Sequence, residues 1–531
     1  MHEHTVDLTT PLGPVTATFR KGRLTGSDVA TVSTGPGFGI CSHQYSGVLC
    51  LSAPGWTEGN TPLLYDVTFA DAEGKHPFPR DRAAIVGVIR AAITPLGARL
   101  NNLELKSYRR TVDPDSEPLE LVAPGPILPL TLQLGGEASD ARLVYHADRS
   151  ALQLAAGEQG EIVFQTDSPS GLRIEKRFRF EGDGYLFHIT VRISGDDVPR
   201  SLGLILTPMP LDGLTGAGRE VAIALVNQSL KEKPLADVHK QPFQLEPSVW
   251  VGFAAQYFLS AAIPLDGPAP AVATAVEDVP FARLDTPLVD GAAQFAIYAG
   301  PKDREVLARA GQHLDRALDF GLFWFVAIPL LHALRALDRV TRNYGVAIIV
   351  LTTLVKVATI PLTRTTFRNM REMQKIQPQM AKLRERHKDD QVALQKEMME
   401  LYRRHRLNPL TGCLPMVLQL PIFVGLYNTL SHAIELRHAP FALWIRDLSA
   451  PDRLMIGGVG VPVLTLLMGA SMFLQQWLTP QQGDPTQQRM MMIMPLVFTF
   501  MFINFPAGLV LYWLVNNLLT IGQQYAMMRS S

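Results

Sequence analysis

A multidomain chain is the fold class this sequence predicts: an all-β domain, then an α-helical membrane core of five transmembrane helices carrying a helical hairpin. Three features carry that reading. The residue period changes near Gly300, charge-poor apolar blocks recur beyond Phe320, and a basic segment separates the first two of the blocks long enough to cross a bilayer. The averages hide the division, since 49 Lys and Arg balance 49 Asp and Glu over 531 residues.

Residues 1–300 are polar, rich in Gly and Pro, and broken into short runs. In RIEKRFRFEGDGYLFHITVRI, Ile174, Phe178 and Phe180 alternate with charged neighbours. Tyr185, Phe187, Ile189, Val191 and Ile193 alternate with polar ones after the turn Glu-Gly-Asp-Gly. A hairpin with one buried face follows. Similar runs recur at Val6 to Leu8, Val15 to Phe19, Ile162 to Gln165, Val221 to Val226 and Ala293 to Ala299, with no helical pattern that would build βαβ units. A large antiparallel sandwich is expected. Cys41, Cys50 and Cys413 suggest neither a disulfide framework nor a zinc site; Cys41 and Cys50 suit either a bridge in an exported domain or two free thiols.

Residues 301–343 change to spacings of three and four, with acidic residues early and arginines late, as in connecting amphipathic helices. The most apolar piece, Phe320 to Leu331, is short of the roughly twenty residues that cross a bilayer, so this segment is expected to lie on the membrane surface. Five spans then occupy residues 344–362, 414–430, 454–474, 491–505 and 507–522, with Lys356 their one charged residue. The last two, at about fifteen residues or about 23 Å each, call for thinned bilayer or shelter by protein. Pro415, Pro421, Pro462, Pro495 and Pro506 fall in or beside these blocks, where neighbouring helices can satisfy freed carbonyls.

Residues 363–409 join the first two spans and hold twelve Lys and Arg against six Asp and Glu. That excess places the segment in the cytoplasm, the β domain outside, and the C-terminus in the cytoplasm. The outer Arg335, Arg339 and Arg342 run against the rule and are outnumbered. Met373, Ile376, Met380 and Leu383 face Leu394, Met398 and Leu401 in a helical hairpin turning at His387-Lys388-Asp389-Asp390; Pro378 bends its first helix and Asn408-Pro409 ends its second. A basic hairpin suits ribosomal RNA or anionic lipid. An exported domain needs an export signal, and MHEHTVDLTTPLGPV has neither a basic start nor an apolar h-region, so a preceding signal-anchor span is expected.

WVGFAAQYFLSAAIPLDG in the β region is followed, in this order along the chain, by the motifs NYGVAIIVLTTLVKVATIPLT, QPQMAKLRER, EMMELY, NPLTGCLPMVLQLPIFVGLYNTL, ELRHAPFALWIRDLSAPD and FPAGLVLYWLVNN. Through them the chain resembles the YidC family of bacterial inner-membrane insertases, relatives of the mitochondrial oxidase-assembly and thylakoid insertases. The resemblance implies a periplasmic β-supersandwich, a periplasmic interfacial helix, and a five-helix core with a hydrophilic groove open to cytoplasm and lipid. It implies nascent membrane proteins, the ribosome, the Sec translocon and the phospholipid bilayer as partners, with no small-molecule substrate, cofactor, metal or enzymatic activity. Lys356 stands where that family most often carries an arginine, so the charge is kept and the planar fork is lost.

An ammonium in hydrocarbon costs roughly 2.5–3.5 kcal/mol even on the lenient insertion scale. Lys356 either snorkels its stem toward the headgroups or sits in a wet cavity and attracts an acidic or polar tail of a nascent chain. By resemblance, Thr352, Gln419, Tyr512 and Trp513 contact substrate, and Asn516 and Asn517 add to the polar lining. Each has a plainer use: Thr352 can bond its own helix carbonyl, the Asn pair can staple helices, and Tyr512 and Trp513 can form an interfacial belt. Met490 to Met492 and Met494 suit either a surface accepting varied apolar segments or ordinary packing. No Walker loop or paired catalytic carboxylates occur. Two other classes compete with insertion. One is a carbohydrate-binding or mutarotase-like β enzyme on a membrane stalk, which needs convergent carboxylates in a pocket. The other is a transporter, which the lack of a two-fold repeat disfavours.

Overall fold

The computed structural model describes residues 88–531 apart from 124, 136–138, 211–219, 277, 388–389, 406–413, 479–484 and 530–531, together with the backbone of eight strands within residues 1–87. The chain forms two compact units, Met1–Asp81 and Arg82–Ser531. The first holds an antiparallel sheet in the order Glu3–Thr10, Gly13–Arg23, Thr61–Ala70, Val48–Ser52, Gly39–Ser42, Ala30–Ser33. The runs expected at Val6 and Val15 lie in its first two strands, and its register sets Cys41 opposite Cys50. The expectation of one β domain over 1–300 does not anticipate this division.

In the second unit the alternating residues do what their parity requires. Arg173–Glu181 pairs with Leu186–Ser194, and Ile174, Phe178, Phe180, Phe187, Ile189, Val191 and Ile193 all point into the core. The sheet continues antiparallel, from Gln159–Asp167 on one side of this hairpin to Ala292–Pro301, Phe258–Pro264 and Phe243–Ala254 on the other. A smaller sheet centred on Ile89–Thr94 and Arg99–Arg109 packs its apolar residues into the same core. One carboxylate in this domain is out of balance. Glu220 is buried, accepts from the Met209 N–H at 2.8 Å, and has its carboxyl pushed up to about 7 by burial, with the Met209 bond pulling the other way. Between pH 4.5 and 7 the folded chain therefore binds a proton that the unfolded chain has released. Stability is expected to fall by about 3 kcal/mol as pH rises through that window and to level off above it. Thermal unfolding from pH 4.5 to 8 should show this slope in the wild type and lose it in Glu220→Gln.

The helices are α1 (Leu235–Val238) within the β domain, α2 (Arg304–Ala310) and α3 (Trp324–Thr341) as connectors, then α4 (Tyr344–Arg386), α5 (Gln391–Arg404), α6 (Leu414–His432), α7 (Val463–Leu478), α8 (Pro485–Phe502) and α9 (Ala507–Arg529). The turn from α3 into α4 is written in Arg342, left-handed at φ 52°, and in Asn343, whose side chain caps α4 at the Val346 N–H and also donates to the Phe441 carbonyl. Gly345 follows because the Phe441 ring lies where a Cβ would go, with the Phe441 Cβ itself 2.7 Å from that point. Rotating the ring cannot clear that contact. Gly345→Ala is expected to destabilise the core by about 1–3 kcal/mol, read as lower thermal stability in detergent and relieved by Phe441→Ala.

Within the block 454–474 the helix begins only at Val463. Residues Leu454–Ile456 and Val459–Val461 pair as a small hairpin, turned by Gly457 and Gly458 at φ 58° and 85°. Asp452 then caps α7, accepting from the Leu464 and Thr465 N–H groups and from the Trp444 indole. The helices that carry the two short apolar blocks run on beyond them: α8 has 18 residues and α9 has 23, because each continues through polar residues that an apolar count omits. The hairpin stripe is present where side chains are described, with Ile376 buried and the Tyr402 hydroxyl 3.6 Å from the Met380 sulfur. Lys388, Asp389 and Asn408-Pro409 lie outside the described residues.

Polar contacts fasten the β domain to the helices. Arg335 on α3 reaches Glu435 at 2.6 Å, Glu305 at 3.2 Å and Asp303, so its charge is neutralised within the protein. Arg437 donates to the Arg109 carbonyl at 2.8 Å and lies over the Phe258 ring, and Gln256 donates to the Ser431 carbonyl.

Candidate functional site

The helical core is apolar on both faces. Ile348, Leu351, Leu430, Met468, Val510 and Leu511 are buried between helices, while Leu496, Phe500 and Trp477 point outward at 73%, 79% and 73% exposure. Such outward apolar surface is at home in lipid and a hazard in water. The apolar segment of α4, Tyr344–Pro361, is long enough to cross a membrane, and Val463–Leu478 and Met492–Phe502 are shorter apolar helices.

Lys356 lies in that α4 segment. Its ammonium donates to the Thr520 hydroxyl at 2.7 Å and to the Asn516 side-chain oxygen at 3.3 Å, both on α9. Thr520 gives its own proton to the Asn516 carbonyl at 2.6 Å, which leaves the hydroxyl oxygen free to accept from the lysine. An ammonium has three donors, and two are used among the described residues. No acidic residue occurs in the apolar part of α4 or anywhere in α6, α7, α8 or α9. The charge is therefore anchored by neutral oxygens and lacks a counterion from these helices.

The other expected residues divide. Gln419 on α6 donates to the Tyr512 hydroxyl on α9 at 3.2 Å, a second polar bridge. Trp513 belongs to an aromatic cluster, edge-on to Phe423 at 4.7 Å and to Phe502 at 5.1 Å. Thr352 is buried and bonds the Ile348 carbonyl of its own helix at 2.6 Å; Asn517 is buried and staples α9 to Ser471 of α7 at 3.0 Å. These two adopt the plainer uses. Thr520 was not anticipated, although Tyr512, Asn516 and Thr520 recur every fourth residue and so share one face of α9.

In the β domain, Asp140 and Lys176 form a pair at 2.6 Å, with 0% and 1% of their side chains exposed. Both are sealed in the interior, and the Tyr145 hydroxyl donates to Asp140 at 3.0 Å.

Residues 86–333 match the family described as YidC periplasmic domain, and residues 336–531 match 60Kd inner membrane protein. The chain is similar to the membrane protein insertase YidC of Pelobacter propionicus, 39% identical over 467 residues, which cover 84% of this chain and 86% of that protein. It is likewise similar to the protein of that description from Geobacter sulfurreducens, 39% identical over 449 residues with 82% and 83% covered. Among solved structures, an active YidC insertase with its first transmembrane domain resolved aligns at TM-score 0.37 and 18% identity, covering 84% of this chain and 92% of that one. A galactose mutarotase-like protein from Lactobacillus casei aligns at TM-score 0.29 and 12% identity, covering 42% and 99%.

Proposed function

This chain belongs to the YidC family of membrane protein insertases, and from that premise we propose that it moves nascent hydrophobic segments from the cytoplasm into the inner membrane through a polar site at Lys356, without nucleotide hydrolysis. The observation that carries the proposal is the Lys356 ammonium, fixed by Thr520 and Asn516 across α4 and α9 with no carboxylate from the surrounding helices. A donor so held attracts the acidic or polar flank of an incoming segment and draws it partway across. The apolar segment then leaves into lipid, driven by about 0.8 kcal/mol per buried methylene.

In this reading α4, α6, α7, α8 and α9 are the five spans. The basic hairpin of α4 and α5 and the C-terminus lie in the cytoplasm, the β domain stands in the periplasm, and α3 lies along the outer membrane surface. The exposed Trp324, Phe325 and Val340 on α3, with Leu322 just before it, give this segment apolar surface for that position. The Gln419–Tyr512 bridge and Asn516 extend the polar lining, and Trp513 borders it. The hairpin is the surface offered to a ribosome, and long charged tails call for the Sec translocon.

The test is insertion of a small single-span protein with an acidic N-terminal tail into proteoliposomes holding this protein alone, with no nucleotide, scored by protection of the tail from added protease. Protection well above that in empty liposomes is expected. Equal protection in both, or a strict need for ATP, would overturn the proposal.

A further inference from the structure

The β domain meets the helical core around a cavity of about 490 Å3 that the insertion reading does not use. Lys302, Glu232 and Gln256 line it from the β domain. Tyr427 on α6 and Phe505 between α8 and α9 line it from the core, with ring centroids 6.3 Å apart. Lys302 directly follows the strand Ala292–Pro301, with its N–H on the Tyr257 carbonyl at 2.7 Å, and is 8% exposed. Among the described residues its ammonium makes one long hydrogen bond, 3.5 Å to the Ala255 carbonyl. Glu232 lines the same cavity and attracts it, yet forms no ion pair with it among the described residues. Burial pulls this ammonium down to about 8 against that attraction.

A buried cation with donors to spare, in one cavity with a carboxylate that stands off from it, is arranged for a ligand carrying both signs of charge. The aromatic side narrows the class. Tyr427 and Phe505 belong to the membrane core, at the end of α6 and at the turn between α8 and α9, where the β domain begins. A ligand whose polar end meets Lys302 and Glu232 would rest its other end on those rings.

We propose that this cavity binds the headgroup of a zwitterionic phospholipid, with its phosphate on Lys302, its ammonium toward Glu232, and its glycerol and first acyl carbons against Tyr427 and Phe505. Phosphoethanolamine chemistry is shared by the lipid and by soluble phosphoesters, and the aromatic side favours the lipid. The placement at the outer leaflet rests on the topology proposed above. Lipid retention is read with no client present, so its failure leaves the insertion reading untouched.

The test uses the 531-residue chain in detergent, exchanged against phosphatidylethanolamine or phosphatidylglycerol, with retained lipid counted by native mass spectrometry. Wild type is expected to hold one phosphatidylethanolamine, Lys302→Arg to keep it, and Lys302→Met to hold it about tenfold more weakly. Glu232→Gln should lower retention of phosphatidylethanolamine and not of phosphatidylglycerol. Thermal unfolding confirms that each variant is folded. Equal retention by wild type and a folded Lys302→Met would overturn the site, and displacement of the lipid by millimolar inorganic phosphate or glycerophosphoethanolamine would overturn its assignment to lipid.

Discussion

Lys176→Met is expected to destabilise the β domain by about 3–5 kcal/mol, because it strands Asp140 as an unpaired charge in the interior. The lysine sits at the centre of a closed set of contacts. Its ammonium reaches Asp140 at 2.6 Å, the Gly97 carbonyl at 2.6 Å and the Leu130 carbonyl at 2.9 Å, while Asp140 accepts from the Leu132 N–H at 2.8 Å and from the Tyr145 hydroxyl at 3.0 Å. Burial pulls the Lys176 ammonium toward its neutral form and the Asp140 charge opposes that pull. Removing both charges with Lys176→Met and Asp140→Leu should recover part of the loss. It should not recover all of it, since the Leu132 N–H, the Tyr145 hydroxyl and two carbonyls then lose partners. Thermal unfolding of the three variants measures this. At about 2–4 °C per kcal/mol for a domain of this size, the single variant should melt roughly 10 °C lower. A single variant that melts with the wild type would mean that Asp140 finds another partner or water.

That ion pair also marks where sequence reading ran out in the β domain. Alternation alone gives the Arg173–Glu181 and Leu186–Ser194 hairpin and its inward face. Lys176 shares the parity of Ile174, Phe178 and Phe180, so alternation itself sets a charge on the buried face. Its partner could not be found the same way, because Asp140 comes from a short helical turn (Asp140–Arg142) outside any periodic segment. In the core, hydropathy located the helices but merged the hairpin at Leu454–Val461 with α7, since an apolar count gives no weight to the Gly457-Gly458 turn. Among the site residues, the sequence offered the polar positions without their directions. Thr352 and Asn517 look like lining until their hydrogen bonds show them turned into the helix packing, whereas Thr520 becomes part of the site only when α9 lies against α4.

Lys356→Ala is expected to lower insertion of an acidic-tailed client by about tenfold to a hundredfold, while Lys356→Arg stays near wild type. A hydrogen bond to a charged group contributes about 1.5–3 kcal/mol, which sets that range. Loss of fold would not explain the result. The alanine variant removes an ammonium that costs roughly 2.5–3.5 kcal/mol in hydrocarbon, and Thr520 keeps its bond to the Asn516 carbonyl at 2.6 Å, so thermal stability should hold or rise. Activity and stability moving in opposite directions is the signature of a group kept for function. A client whose tail is made neutral separates the charge from the cavity: it should insert less well into wild type and be nearly indifferent to Lys356→Ala. If both clients lose insertion equally in the alanine variant, Lys356 shapes the polar space between α4 and α9 and does not pull on charge. If neither loses it, the lysine only snorkels, and insertion rests on the apolar surface of the helices and the thinned lipid around them.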